Sequence, residues 1–231
     1  MVEDCHVTLR RSGLKVFIWL TLPVALIAST TPPVATATVA KRQVTVAQAL
    51  ANISVKGRAP KTGYSREEFG TAWKDVDQNG CDTRNDILKR DLTSIVYKGS
   101  SCLIAAGILR DPYSGTKVYF VRGVGTSLDV QIDHVVALSN AWQTGAFALS
   151  KEGRTLFAND PLNLLAVKGS LNSQKSDGDA ATWLPPLKSY RCAYVARQLA
   201  VKYKYGLWLT APEKDAMVLI LSKCPKQVMP K

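Results

Sequence analysis

Gln131-Ile132-Asp133-His134-Val135-Val136-Ala137-Leu138 decides how this chain is read. A strand-like apolar run reaches an acid, then a histidine, and turns apolar again. Downstream, Pro161-Leu162-Asn163-Leu164-Leu165 opens a second short strand over 162–167, and Asn172-Ser173-Gln174-Lys175 lies in the helical turn after it. The chain has two histidines, and the other, His6, falls in a leader-like segment. With the leader removed, His134 is the only imidazole, and chemistry near neutral pH that needs one must use it.

Outward from this stretch the pattern is mixed. Upstream, Ser65-Arg66-Glu67-Glu68 reads as a capping box. Phe69, Ala72, Trp73 and Val76 follow at helical spacing. Residues 95–121 read as β structure, with strands at 101–105 and 117–121 and a turn at Asp111-Pro112-Tyr113-Ser114-Gly115. Helices are expected within 139–158, between the two site strands. The C-terminal part reads as two helices, 190–203 and one starting at Thr210-Ala211-Pro212-Glu213, a capping box with proline in the first turn. The fold class is α+β, with two short strands and a helix at the centre, flanking helices and a C-terminal helical hairpin.

Composition sets the frame. The 231 residues are 46% hydrophobic and 21% charged, enough for a buried core in one domain. The formal net charge of +12 favours a polyanionic partner, be it nucleic acid, anionic membrane or wall polymer. Residues 1–40 read as a signal peptide. Arg10, Arg11 and Lys15 precede a thirteen-residue apolar run broken by Pro23, then small residues up to Ala40. A membrane span needs about 20 apolar residues, so stable insertion is not expected. Cleavage near Ala37 or Ala40 lowers the net charge by one and removes Cys5. The lead-in 41–63 is basic and reads as flexible, with one short helix over 44–53; residues 64–231 read as one domain. An even set remains, Cys81, Cys102, Cys192 and Cys224, which argues for export and two disulfides. Three pairings are open. Cys81–Cys102 and Cys192–Cys224 are favoured, the latter because those cysteines lie at adjoining ends of an antiparallel helix pair.

Phosphodiester hydrolysis needs a base to deprotonate water and cations to neutralise phosphate. His134 can be the base. Asp133 and the amide oxygen of Asn172 are hard donors suited to Mg2+ or Mn2+, which keep most of their waters and need few protein ligands. Asn163 can orient the histidine, and Lys175, one helical turn after Asn172, can face the same phosphate. Arg122 is a second candidate for phosphate, with an exposed strand-end arginine as the competing reading. Separately, Asp75, Asp77, Asn79 and Asp86, with Gly80 between, approach a calcium-loop pattern; the plain alternative is a polar turn.

At Asp133-His134, Asn163, Asn172 and Lys175 the chain resembles the HNH endonuclease family, whose ββα-metal motif runs D-H, N, H or N, K. The blocks around 64–88, 132–138, 159–167 and 177–197 are similar to exported bacterial HNH proteins of the DUF1524 type. The resemblance implies a ββα-metal core, metal ligands at Asp133 and Asn172, a general base at His134 and a supporting role for Asn163. It implies a secreted, monomeric, metal-dependent nuclease acting on DNA ahead of RNA with low sequence specificity. Two departures stand out: a long spacer between His134 and Asn163, and no zinc-binding cysteine pairs. The other class weighed is a non-catalytic calcium-binding or wall-associated module.

Overall fold

The structure is a computed structural model and describes residues 44–230, all within one unit of the chain. The expected signal peptide over 1–40 lies outside the described residues. In chain order the elements are α1 (Val46–Asn52), α2 (Thr83–Asp91), β1 (Leu92–Tyr97), β2 (Ile104–Arg110), β3 (Lys117–Val121), β4 (Val130–His134), α3 (Leu138–Gln143), α4 (Lys151–Asn159), β5 (Leu164–Lys168), α5 (Gly169–Lys175), α6 (Arg191–Lys204) and α7 (Ala211–Leu221). Strands β1, β2 and β3 form one antiparallel sheet in that order, and β4 and β5 form a second. The chain is therefore α+β, as its sequence suggests.

Three apolar clusters hold these layers. The first joins α1, α6 and α7 through Val46, Ala49, Val195, Leu199, Met217 and Ile220. The second gathers Phe69, Trp142 and Phe157 beneath the helices between β4 and β5. The third packs α2 and the three-stranded sheet against Ile132, Leu164 and Ala166 of the small sheet. β5 is buried at four of its five positions, which is why its sequence runs apolar rather than alternating.

Several expectations needed revision. Residues 66–69 form only one turn of 3-10 helix, and Ser65 makes no side-chain cap, so the capping box there is not used. Trp73 takes φ +58°, which ends any helix before it. Among the described residues, the lead-in from position 44 carries the expected short helix and several contacts to the rest of the chain. Thr45 and Gln48 make a true capping box on α1, Val55 bridges Leu209, and the Ala59 N–H donates to the Gln143 carbonyl. Helix α2 runs to Asp91, and strand β1 begins at Leu92. The capping box at Thr210 and Glu213 is formed. Cys81 bonds Cys102 and Cys192 bonds Cys224, with Cα separations of 5.9 Å and 6.4 Å, inside the bridging range.

Candidate active site

Strand β4 ends at His134, and β5 pairs with it antiparallel, setting His134 opposite Leu164 and Asp133 opposite Leu165. Helix α5 starts where β5 stops. The spacer of α3 and α4 thus loops out, and the second strand still returns in register. Gly169 makes the tight join: a Cβ there would run into the Leu128 carbonyl, while its N–H donates to the Asp129 carbonyl.

The Nε2 of His134 lies 2.8 Å from the Ala158 carbonyl oxygen in α4. A carbonyl only accepts, so Nε2 carries the proton and Nδ1 keeps its lone pair. Burial, with smaller contributions from Arg66 and Lys175, lowers the imidazole to about 4 against the opposing Ala158 bond, so the ring is neutral at pH 7. Asn163 is fully buried and locks the chain just after the histidine. Its carbonyl accepts from the Val135 N–H at 2.8 Å, its Oδ1 from the Val136 N–H at 2.9 Å, and its Nδ2 donates to the Val136 carbonyl at 3.3 Å.

Asp133 is buried, with both oxygens engaged. The Tyr113 hydroxyl donates to Oδ2 at 2.5 Å and the Lys175 ammonium to Oδ1 at 2.9 Å. Burial pushes its carboxyl up, while Lys175 and Tyr113 pull it back. The same ammonium donates to the His134 carbonyl at 2.8 Å, and the Lys175 side chain has no exposed surface. This corrects the expected phosphate role of Lys175: its charge is committed to Asp133 and to β4. The Arg122 guanidinium donates to the Ile104 carbonyl and to Asn85 Oδ1, tying the end of β3 to α2.

Asp133, His134 and Asn172 line one polar cavity of about 540 Å³, with Arg66, Lys61 and Asp177 at its rim. Lys61 is paired with Asp177 at 2.9 Å. Arg66 is exposed, and its guanidinium makes no hydrogen bond or ion pair among the described residues. Sequence reading missed Arg66, because it was absorbed into a helix cap, and Tyr113, because it stood in a turn. Only the fold brings either to β4.

The donor set suits a hydrated hard cation. The Nδ2 of Asn172 donates to Gln131 Oε1 at 2.8 Å, which fixes the amide and leaves Oδ1 without a donor among the described residues. Each Asp133 oxygen keeps a lone pair beyond its present bond. Among the described residues, no three His, Cys, Asp or Glu side chains come together as a metal cage. In the calcium-like loop, Asp75 accepts from the Asn79 and Gly80 N–H groups, Asp77 from the Asn79 N–H, and Asn79 Nδ2 donates to Asp86.

A strand ending in a neutral histidine, a returning strand, and a helix carrying an amide and a buried lysine form one two-strand-plus-helix site. Comparison gives the family. The model for GmrSD restriction endonucleases, C-terminal domain, matches residues 82–220, and the chain belongs to that family of nuclease domains. It is similar to an uncharacterized secreted protein of Arthroderma benhamiae, at 38% identity over 177 residues, 76% of this chain and 82% of that protein. That relative is fungal, whereas the resemblance noted from sequence was to bacterial proteins. No solved structure matches.

Proposed function

We propose that the chain is a secreted, metal-dependent endonuclease of the HNH type, hydrolysing DNA, and RNA secondarily, with little sequence preference. The observation that carries this reading is the clustering of His134, Asp133 and Asn172 on one cavity, with Asn163 clamping the turn after His134. His134 Nδ1 takes the proton of the attacking water, and the Ala158 carbonyl holds the ring and its tautomer. Asp133 and the Asn172 amide oxygen would hold Mg2+ or Mn2+, which when bound supplies charge to the scissile phosphate and the leaving oxygen. Arg66 meets the phosphate at the rim. Lys175 and Tyr113 fix the Asp133 carboxylate. Secretion is supported by the leader-like segment, the even cysteine set and the description of the fungal relative. A monomer processed near residue 40 is the form expected.

The test is degradation of supercoiled plasmid by the purified protein with Mg2+ or Mn2+, with an EDTA control. His134→Ala should lower the rate by about 10²–10⁴-fold, the usual worth of a general base, with an unchanged circular dichroism spectrum. Equal degradation by both proteins would remove His134 as the base.

A further inference from the structure

A second cavity, about 310 Å³, opens on the other side of His134. Its walls are Phe69, Leu138 and Ala158, the indole of Trp73 and the ring of His134, with Arg66 at the mouth. Arg66, His134 and Leu138 border both cavities, so a group in one adjoins a group in the other. The polar cavity offers charge and hard oxygen donors. The second offers apolar surface and an aromatic plate. Its volume lies at the lower end of small-molecule pockets, room for one flat ring system rather than a duplex face.

Trp73 is held for this position at a cost to its backbone. A bulky residue in the left-handed region is a conformational outlier, and such outliers persist where the surroundings over-determine them. Here the Thr83 N–H donates to the Trp73 carbonyl at 3.2 Å and the Thr83 hydroxyl to the Lys74 carbonyl at 2.5 Å. The indole stacks on the His134 ring with centroids 6.0 Å apart and planes at 14°. It is only half-buried, so a core role does not account for all of it.

We propose that this cavity is a nucleobase subsite: the base next to the scissile phosphate leaves its stack and lies against Trp73 while the phosphate sits at Arg66 and His134. The substrate at the point of cleavage is then single-stranded or locally unpaired, because a base still paired in a duplex cannot lie flat in a cavity of this size. The proposal rests on the nuclease reading above but concerns binding, so it can be tested without turnover.

The experiment is fluorescence anisotropy in EDTA with two dye-labelled single strands of equal length, one of thymidines and one wholly abasic. The wild type should bind the thymidine strand about tenfold tighter, within the range for one aromatic–base stack. Trp73→Ala should abolish the difference with abasic affinity unchanged, and Trp73→Phe should restore part of it. Ala72→Trp, at an exposed position lining the same cavity, fills it without disturbing the core and should also abolish the difference. A preference that survives both Trp73→Ala and Ala72→Trp overturns the subsite. Binding to neither strand overturns it together with the nucleic-acid reading. Tight but equal binding by the wild type overturns the subsite alone.

Discussion

The Asp133–Lys175 pair is where a single atom changes most. Both groups are out of water, and each is tolerable only because the other is present. Lys175→Met should therefore destabilise the protein by about 3–5 kcal/mol in urea unfolding, the cost of leaving one buried charge alone. If the loss falls instead on salt-dependent DNA binding with stability intact, Lys175 reaches phosphate after all. His134 gives a pH signature. Its folded value is held at about 4, below the ordinary 6.5. As pH falls, the unfolded chain takes up the proton first, so this stabilisation is complete above pH 6.5 and drains away between 6.5 and 4. The full shift corresponds to about 3 kcal/mol at most, and less because one edge of the ring faces the cavity. Urea unfolding in EDTA at pH 7 and pH 5 should show a smaller pH loss for His134→Gln than for the wild type; equal losses would place the titration elsewhere.

Among elements, the two-strand-plus-helix unit was legible because its signals are local. An apolar run ending in Asp-His, a second run containing Asn163, and a helical turn carrying Asn172 and Lys175 all lie within short windows; the helix itself starts at Gly169, where the sequence reads as a turn. The helix expected from Phe69, Ala72, Trp73 and Val76 failed because helical spacing also arises when a loop alternates between a core and a cavity. Phe69 faces the Trp142 and Phe157 cluster, while Trp73 faces His134. No short window could place Arg66 or Tyr113 beside β4, since both arrive by tertiary packing. Arg154 shows how: its guanidinium donates to the Glu68 carbonyl and carboxylate and pins the 3-10 turn to α4. The join between β5 and α5 is equally exacting. Gly169→Ala forces the new methyl against the Leu128 carbonyl, so α5 must move off β4. We expect a loss of about 1–3 kcal/mol, the usual cost of overpacking, and a larger fall in nuclease activity than stability alone explains, because Asn172 moves with the helix. Activity retained in proportion to the folded fraction would show that α5 absorbs the methyl in place.

At the scale of the whole molecule, charge and covalent links set behaviour. A chain of net +12 that binds nucleic acid through phosphate should lose affinity linearly in log salt, and Arg66→Gln should reduce that slope by about one. An unchanged slope with weaker binding would make Arg66 a packing residue. The disulfides staple the two flanks: one fastens the loop before α2 to the strand region, the other closes the α6–α7 pair. Neither spans β4 and β5. Even their nearest pair in sequence joins positions 134 and 164, with two helices between, so the hairpin cannot zip from a tight turn. Loop-closure entropy must be met before the pairing rewards it, and distant pairings form slowly. A nascent chain that has not yet emerged past position 164 carries its histidine on a strand without a partner. For a nuclease of the kind proposed, synthesis and competence are thereby separated in time, and the cell that makes it meets an inert polypeptide before it meets an enzyme.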